Sequence, residues 1–352
     1  MAWQGIEGHD AIVAGFVAAR ERGRIAGSYL FVGPEGVGKG TFALALAKSL
    51  VCAAPRSGLV ACGACVSCVQ AAAGSHPDID VVGRPPDRST IPLESLIGGD
   101  EHRMREGLVW RLLLRPAVGA RKVAVILDAD HLSEEGANCL LKTLEEPPES
   151  AVIILVGTAV ERQLPTIRSR CQTIRFRPLP DAVVERILTA EGRLAGGTVD
   201  PAAIRLRAAA AGGSLARARG LADPALAEFR GRLLDLLGRR PLPGVELARD
   251  TIAVVEAAGK EAPPRRARLR LVLETVIDCL RAAMRQAVSG EAPADTTLGR
   301  AAAAWAGDPE AAAVALRLTL DAVDAIERNA NLTMLVDAWT AVLEEPRLAR
   351  LA

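Results

Sequence analysis

The chain has 352 residues, half of them hydrophobic but only 3% aromatic, and a formal net charge of +1. That length suits two or three domains with sizeable cores, and the alanine- and leucine-rich second half favours helix over an all-β fold. The balanced charge excludes bulk attraction to nucleic acid or to an acidic membrane, so a charged ligand has to be met by a local patch. There is no apolar run of about 18 residues and no basic-then-apolar leader around Glu7 and His9, so a cytoplasmic protein without a membrane partner is expected.

In chain order, the first informative stretch is Ser28–Thr41. The apolar run Tyr29–Val32 reads as a strand. Gly33, Gly36 and Gly38 follow, and Lys39-Gly40-Thr41 opens a segment expected to be helical over Thr41–Val51. Strand, glycine loop and helix together form a cradle in which backbone N–H groups surround phosphate oxygens and a lysine adds a point charge. The hydroxyl that would hold magnesium directly after Lys39 is missing at Gly40 and has moved to Thr41. Gly33, Gly36, Gly38, Lys39, Gly40 and Thr41 are therefore the candidate site for ATP or ADP, with Mg²⁺ if nucleotide is bound.

Cys52 follows that helix, and Cys62, Cys65 and Cys68 come after it at two-residue intervals. In a cytoplasmic chain such crowding points to metal rather than to disulfides. Four thiolates suit a tetrahedral zinc with no open position, hence a structural Zn²⁺ site. Reactive or merely buried thiols are the second reading; an iron–sulfur cluster is the least, because the first spacing departs from the ferredoxin run and no proline follows Cys68. Cys139, Cys171 and Cys279 stand alone and read as ordinary buried thiols. His76, in His76-Pro77-Asp78, reads as a turn residue rather than a fifth ligand.

Further strands are expected at Ile79–Val82, Val123–Asp128, Val152–Val156 and Thr173–Phe176, with a helix at Glu134–Leu144 capped by Ser133. Between them, residues 84–106 read as a loop leading into a helix toward Trp110 and Leu114. Near-continuous apolar strands separated by helices imply a parallel sheet covered on both faces. Asp128 closes a buried strand, where an active ATPase orients magnesium; a structural role and a magnesium contact both stay open. The next position, where a glutamate would polarise water, is Ala129, and strand alternation is expected to turn Asp130 away. Pro178 and Pro180 mark one boundary and the Arg240–Gly244 stretch another. After the second come amphipathic helices including Arg268–Val288, Glu310–Arg328 and Leu332–Leu343.

Taken together, these motifs resemble the AAA+ clamp-loader subunits of bacterial DNA polymerase III, and among them the delta-prime branch. The resemblance spans essentially the whole chain. It rests on the Tyr29–Lys39 loop, the four-cysteine module, His76-Pro77-Asp78 and Asp128-Ala129-Asp130. It continues through Asn138-x-Leu-Leu-Lys142-Thr-Leu-Glu-Glu146-Pro-Pro148 and Leu164-Pro-Thr-Ile-Arg-Ser169-Arg170-Cys171. It implies an α/β AAA+ P-loop domain with an inserted zinc module (1–177, module at 52–68), a helical lid (178–240) and an all-α collar for oligomerisation (241–352). It also implies a pentameric ring with gamma/tau motor subunits and a delta subunit, acting through the complex on a sliding clamp and primer-template DNA. By the same resemblance Thr158 is the first sensor, Arg217 lies in the second-sensor region, and Arg170 is an arginine finger acting in trans. A planar guanidinium suits γ-phosphate recognition. Lys142 and Glu145-Glu146-Pro147-Pro148 read as structural, the family making them a prop for the ring interface.

Ala129 argues for a stator that holds nucleotide without hydrolysing it, since loss of the water-activating carboxylate acts mainly at the transition state. The rivals are a gamma/tau-like ATP-hydrolysing motor or another P-loop ATPase, a nucleoside monophosphate kinase, and a sequence-specific DNA-binding protein. The kinase reading gives no reason for the cysteine module. The DNA-binding reading lacks a basic recognition helix.

Overall fold

The computed structural model describes residues 3–86, 88–103, 105–194, 200–293 and 295–344. The chain divides into two compact units, residues 1–184 with 213–215, and residues 185–212 with 216–352.

The first unit runs α1 (Asp10–Glu21), β1 (Ser28–Val32), α2 (Lys39–Val51), α3 (Val66–Ala72), β2 (Ile79–Val82), α4 (Leu93–Ile97) and α5 (Gly107–Leu113). It continues with β3 (Lys122–Ile126), α6 (Glu134–Glu145), β4 (Ala151–Val156), α7 (Pro165–Arg168) and β5 (Gln172–Arg175). The strands form one parallel sheet in the order β2-β3-β4-β1-β5. Every residue of β1, β3 and β4 is buried, as a central parallel strand covered on both faces requires. Alternate side chains feed two separate cores. Leu30, Ala124, Ile126, Ile153 and Leu155 pack with Leu140 and Leu144 of α6. Tyr29, Phe31, Val123, Val125 and Ile154 pack with Phe42 and Leu46 of α2. The second core is an aromatic cluster, with Phe31 5.9 Å from Phe42 and 5.2 Å from Phe176 between ring centroids.

Two segments depart from the sequence expectation. The strand expected to reach Asp128 ends at Ile126, because its neighbour β2 stops at Val82, whose carbonyl accepts the last ladder bond from Leu127 N at 2.7 Å. Asp128 then takes a left-handed conformation (φ 54°, ψ 41°) and leads into a short 3-10 turn, Ala129–His131. The segment expected as loop then helix instead holds α4 and a 3-10 turn at Asp100–His102 before α5. Gly107 has φ +84°, and a Cβ there would lie 2.5 Å from Gly98 N, so two backbones cross where only glycine fits.

The second unit is helical among the described residues. α8 (Asp181–Leu194) enters it after Val184, followed by α9 (Pro201–Ala210), α10 (Leu215–Gly220), α11 (Pro224–Leu237) and α12 (Gly244–Glu256). α13 (Ala262–Ser289), α14 (Thr296–Ala306), α15 (Pro309–Glu327) and α16 (Leu332–Glu344) complete it. Leu233, Leu234 and Leu237 of α11 share one continuous core with Leu247 of α12, Leu280 of α13 and Trp339 of α16. Helices on both sides of Arg240 thus pack as one body, because α11 has buried leucines along most of its length. Both buried indoles are satisfied: Trp305 Nε1 donates to Leu237 O at 3.0 Å and Trp339 Nε1 to Thr319 Oγ1 at 3.1 Å.

Candidate nucleotide and metal sites

The glycine loop between β1 and α2 is fixed by backbone geometry. Gly33 has φ +154°, and a Cβ there would collide with the Phe176 carbonyl oxygen. Gly36 and Gly38 are left-handed at φ 73° and 95°, and Gly38 starts α2 without a side-chain cap, leaving the first helical N–H groups for a ligand. Lys39 is buried, and its Nζ donates to Gly33 O at 2.7 Å and Pro34 O at 2.6 Å. Burial pulls its pKa below the ordinary lysine value, against Glu35, Asp130 and Asp128, which raise it. A Cβ on Gly40 would come 3.3 Å from Leu127 Cδ2, so a hydroxyl-bearing residue is a tight fit there, while Thr41 is exposed.

Three contacts that no motif announces hold this loop. His9 is buried, with Nε2 2.7 Å from Val37 O and its ring edge-on to Phe176 at 4.8 Å. Leu215 N donates to Gly36 O at 2.9 Å, and Gly33 N to Thr158 O at 3.0 Å. Sequence reading noted His9 only as an early polar residue; an isolated histidine before an amphipathic helix carries no signal of a partner 28 positions away.

At the ends of β3 and β4, Asp128 is exposed and Ala129 buried. Asp130 does not point away. Its Oδ2 accepts from Thr158 N at 2.7 Å and Thr158 Oγ1 at 2.6 Å, and its Oδ1 accepts from Gln163 Nε2. The expectation from strand alternation fails because the strand has already ended and the 3-10 turn redirects the side chain toward the end of β4. A Cβ on Gly157 would sit 2.6 Å from Asp130 Oδ1, so glycine makes room for this cluster. With three hydrogen bonds accepted, Asp130 is a scaffold group rather than a free base.

Arg170 lies just past α7. Its Nε and Nη2 donate to Glu145 Oε2 at 3.1 and 3.0 Å, and its Nη1 donates to Thr166 O at 3.1 Å. Arg217, in the second unit, is nearly buried and pairs with Asp278 at 2.6 Å and Glu274 at 3.5 Å. Within its own unit its charge is already met by two carboxylates.

The four sulfurs of Cys52, Cys62, Cys65 and Cys68 all lie within 4.8 Å of one another. The Cys52–Cys65 and Cys62–Cys68 separations are each 3.9 Å, and all four thiols are free. Tetrahedral zinc with Zn–S of about 2.3 Å places sulfurs about 3.8 Å apart. The donor set therefore suits a tetrathiolate metal site. Backbone N–H groups support the sulfurs in relay: Cys62 N to Cys52 Sγ at 3.3 Å, Cys65 N to Cys62 Sγ at 3.3 Å, and Cys68 N to Cys65 Sγ at 3.4 Å. Backbone N–H bonds favour the thiolate and hold Cys62 (from Ala64, then Cys65) and Cys65 (from Ala53, then Cys68) below the ordinary thiol range, while desolvation raises Cys68. Few side chains beyond the cysteines are buried here, the small cluster adding only Ala61, so a metal would supply much of the module's order.

A parallel sheet with a phosphate loop after β1, an acid beyond β3 and a polar residue at the end of β4 defines an α/β P-loop protein of the AAA+ type. Residues 8–180 match the family described as DNA polymerase III, delta subunit. The gamma/tau subunit of DNA polymerase III from Mycobacterium tuberculosis is 34% identical over 261 residues, covering 72% of this chain and 43% of that protein. The delta' subunit from Bacillus subtilis is 36% identical over 169 residues, 48% of this chain and 47% of that one. The delta' subunit from Escherichia coli is 32% identical over 204 residues, 58% of each. These likenesses support a clamp-loader subunit of DNA polymerase III, and the chain spans about half the length of the curated relatives it matches. Among the described residues no helix is long and apolar enough to cross a membrane.

Proposed function

We propose that this chain is a delta-prime-type stator, a cytoplasmic subunit that helps gamma/tau motors load a sliding clamp on primer-template DNA and lends Arg170 to a neighbouring ATP site. The observation that carries this reading is the buried Ala129 directly after Asp128, with Asp130 already engaged by Thr158 and Gln163. Neither of the two positions after Asp128 then offers a free carboxylate to polarise an attacking water.

In this reading Gly33, Gly36, Gly38, Gly40 and Thr41 form a cradle that binds ATP or ADP without turning it over. Lys39 exchanges the Gly33 and Pro34 carbonyls for phosphate, and Asp128 is the residue placed to meet Mg²⁺. Thr158 and Arg217 contribute little to sensing, since their polar groups are committed to Asp130 and to Glu274 and Asp278. Cys52, Cys62, Cys65 and Cys68 hold a structural Zn²⁺, which supplies cross-linking and no reaction. In this reading residues 241–352 form the collar of a pentameric ring that meets the motor and delta subunits, and 178–240 the lid, α11 of the lid sharing its core with the collar helices. The second reading, a gamma/tau-like motor, is favoured by Lys39 and the complete glycine loop.

The test has two stages. The pure chain should hydrolyse ATP below about 0.1 per second, and faster turnover abolished by Lys39→Ala favours the motor. Mixed with the motor and delta subunits of its own genome, it should co-elute as one ring in size exclusion. In that ring Arg170→Ala should leave assembly unchanged and slow clamp- and DNA-stimulated hydrolysis by about tenfold or more. An unchanged rate removes Arg170 from the mechanism.

A further inference from the structure

Glu145 occupies the last turn of α6, where unpaired carbonyls make a negative side chain unfavourable. The following Pro147-Pro148 ends the helix. The end of α6 is tied to the strand that enters the phosphate loop: Ser28 Oγ donates to Leu144 O at 3.1 Å, and Pro147 packs so closely on Gly27 that a Cβ there would collide with its ring. Glu145 is therefore a poorly placed helical residue on a well-fixed piece of backbone, and what offsets its position is Arg170.

A guanidinium offers a side-on fork, Nε–H with one Nη2–H, and an end-on fork, Nη1–H with the other Nη2–H. Glu145 Oε2 takes the side-on fork at 3.1 and 3.0 Å. Thr166 O takes an Nη1–H at 3.1 Å from the other flank. One further contact, Nη1 to Ser169 Oγ at 3.4 Å, is long and easily exchanged. The flexible side chain is thus gripped on both sides, and its outer edge keeps an N–H on Nη2 for a ligand. The arginine remains 29% exposed and the glutamate 59%.

We propose that Glu145 is a positioning residue for Arg170. Its carboxylate takes the side-on fork and turns the end-on fork outward, toward an anionic oxygen of a phosphoanhydride held by a neighbouring subunit. The inference rests on the trans role of Arg170 proposed above. Glu145 touches no phosphate itself. It acts by fixing the orientation of a group whose value at the transition state depends on being in place beforehand.

The experiment is a double-mutant cycle in the reconstituted ring, reading kcat and KM for ATP at the motor sites with zinc content and co-elution as controls. Glu145→Ala should lower kcat about 3- to 10-fold with KM unchanged, and Glu145→Gln, which keeps an acceptor oxygen, should recover most of that loss. In an Arg170→Ala background, Glu145→Ala should have no further effect, because both changes remove one interaction. An equal loss from Glu145→Ala in both backgrounds overturns the proposal, leaving Glu145 a structural residue of the α6 end. So does an unchanged kcat for Glu145→Ala while Arg170→Ala is slow. If Arg170→Ala itself changes nothing, the reading of Arg170 fails first, and the two failures are told apart by that single variant.

Discussion

Asp78→Asn is the substitution that most directly tests how the P-loop unit is held together. Asp78 is fully buried, and its carboxylate accepts from Ala117 N at 2.7 Å, Val118 N at 2.9 Å and Gly119 N at 3.2 Å. The buried ammonium of Lys122 lies 3.4 Å away. Burial raises the Asp78 pKa, but the three N–H groups and Lys122 outweigh it, and the net shift is downward from 3.8. An amide has one oxygen. Its NH2 must replace either Oδ1, facing Ala117 N, or Oδ2, facing Val118 N and Gly119 N, so at least one buried donor loses its acceptor, at about 1–3 kcal/mol. Lys122 also loses its counter-charge, and breaking a buried pair from one side costs about 3–5 kcal/mol.

Together these give about 4–8 kcal/mol, with Asp78→Asn/Lys122→Met recovering a good part of it. Hydrogen exchange read by mass spectrometry on β2, β3 and residues 117–119 gives the value, with α13 as reference. A group whose folded pKa is depressed contributes stability that is fully present above its unfolded pKa and lost as pH falls through the folded one. The gap between wild type and variant should therefore hold from pH 7 to about 5 and narrow below about 4. Burial lowers the His76 pKa, with Asp78 raising it and Lys122 lowering it further, so its titration moves toward this lower window in wild type and variant alike. A loss under about 1 kcal/mol, or a gap unchanged down to about pH 3, refutes an ionised carboxylate in this cradle.

Cys65→Ser should reduce zinc from one per chain to below about 0.2 by elemental analysis and increase exchange across residues 53–72. Gly33→Ala should destabilise the first unit by about 2–3 kcal/mol in thermal melts and abolish any nucleotide binding, because its Cβ would collide with Phe176 O at a φ that alanine resists. His9→Ala should cost about 1–2 kcal/mol and speed exchange at residues 33–38, since it removes the bond to Val37 O and an edge-on ring contact. Unaltered exchange at those residues would mean that the loop does not depend on His9.

The sequence by itself determined whatever is written in short-range patterns. Apolar runs gave the strands to within a residue or two at most ends, the spacing Gly33, Gly36, Gly38, Lys39 gave the glycine loop between β1 and α2, and four crowded cysteines marked a cluster of sulfurs that could hold a metal ion. Ala129 after Asp128 could be read directly as a side chain that accepts no proton. Only the tertiary structure decided how polar side chains spend their hydrogen bonds. Asp130 meets Thr158 across 28 positions and Gln163 across 33, Arg170 meets Glu145 across 25, and Asp78 meets the Ala117 amide across 39. None of these pairs follows a helical or strand period, because each arises where separate strands and helices end side by side. A period is set by local backbone geometry, whereas these partners are set by sheet order, and by the need of each polar group that loses water to find the nearest oppositely suited atom.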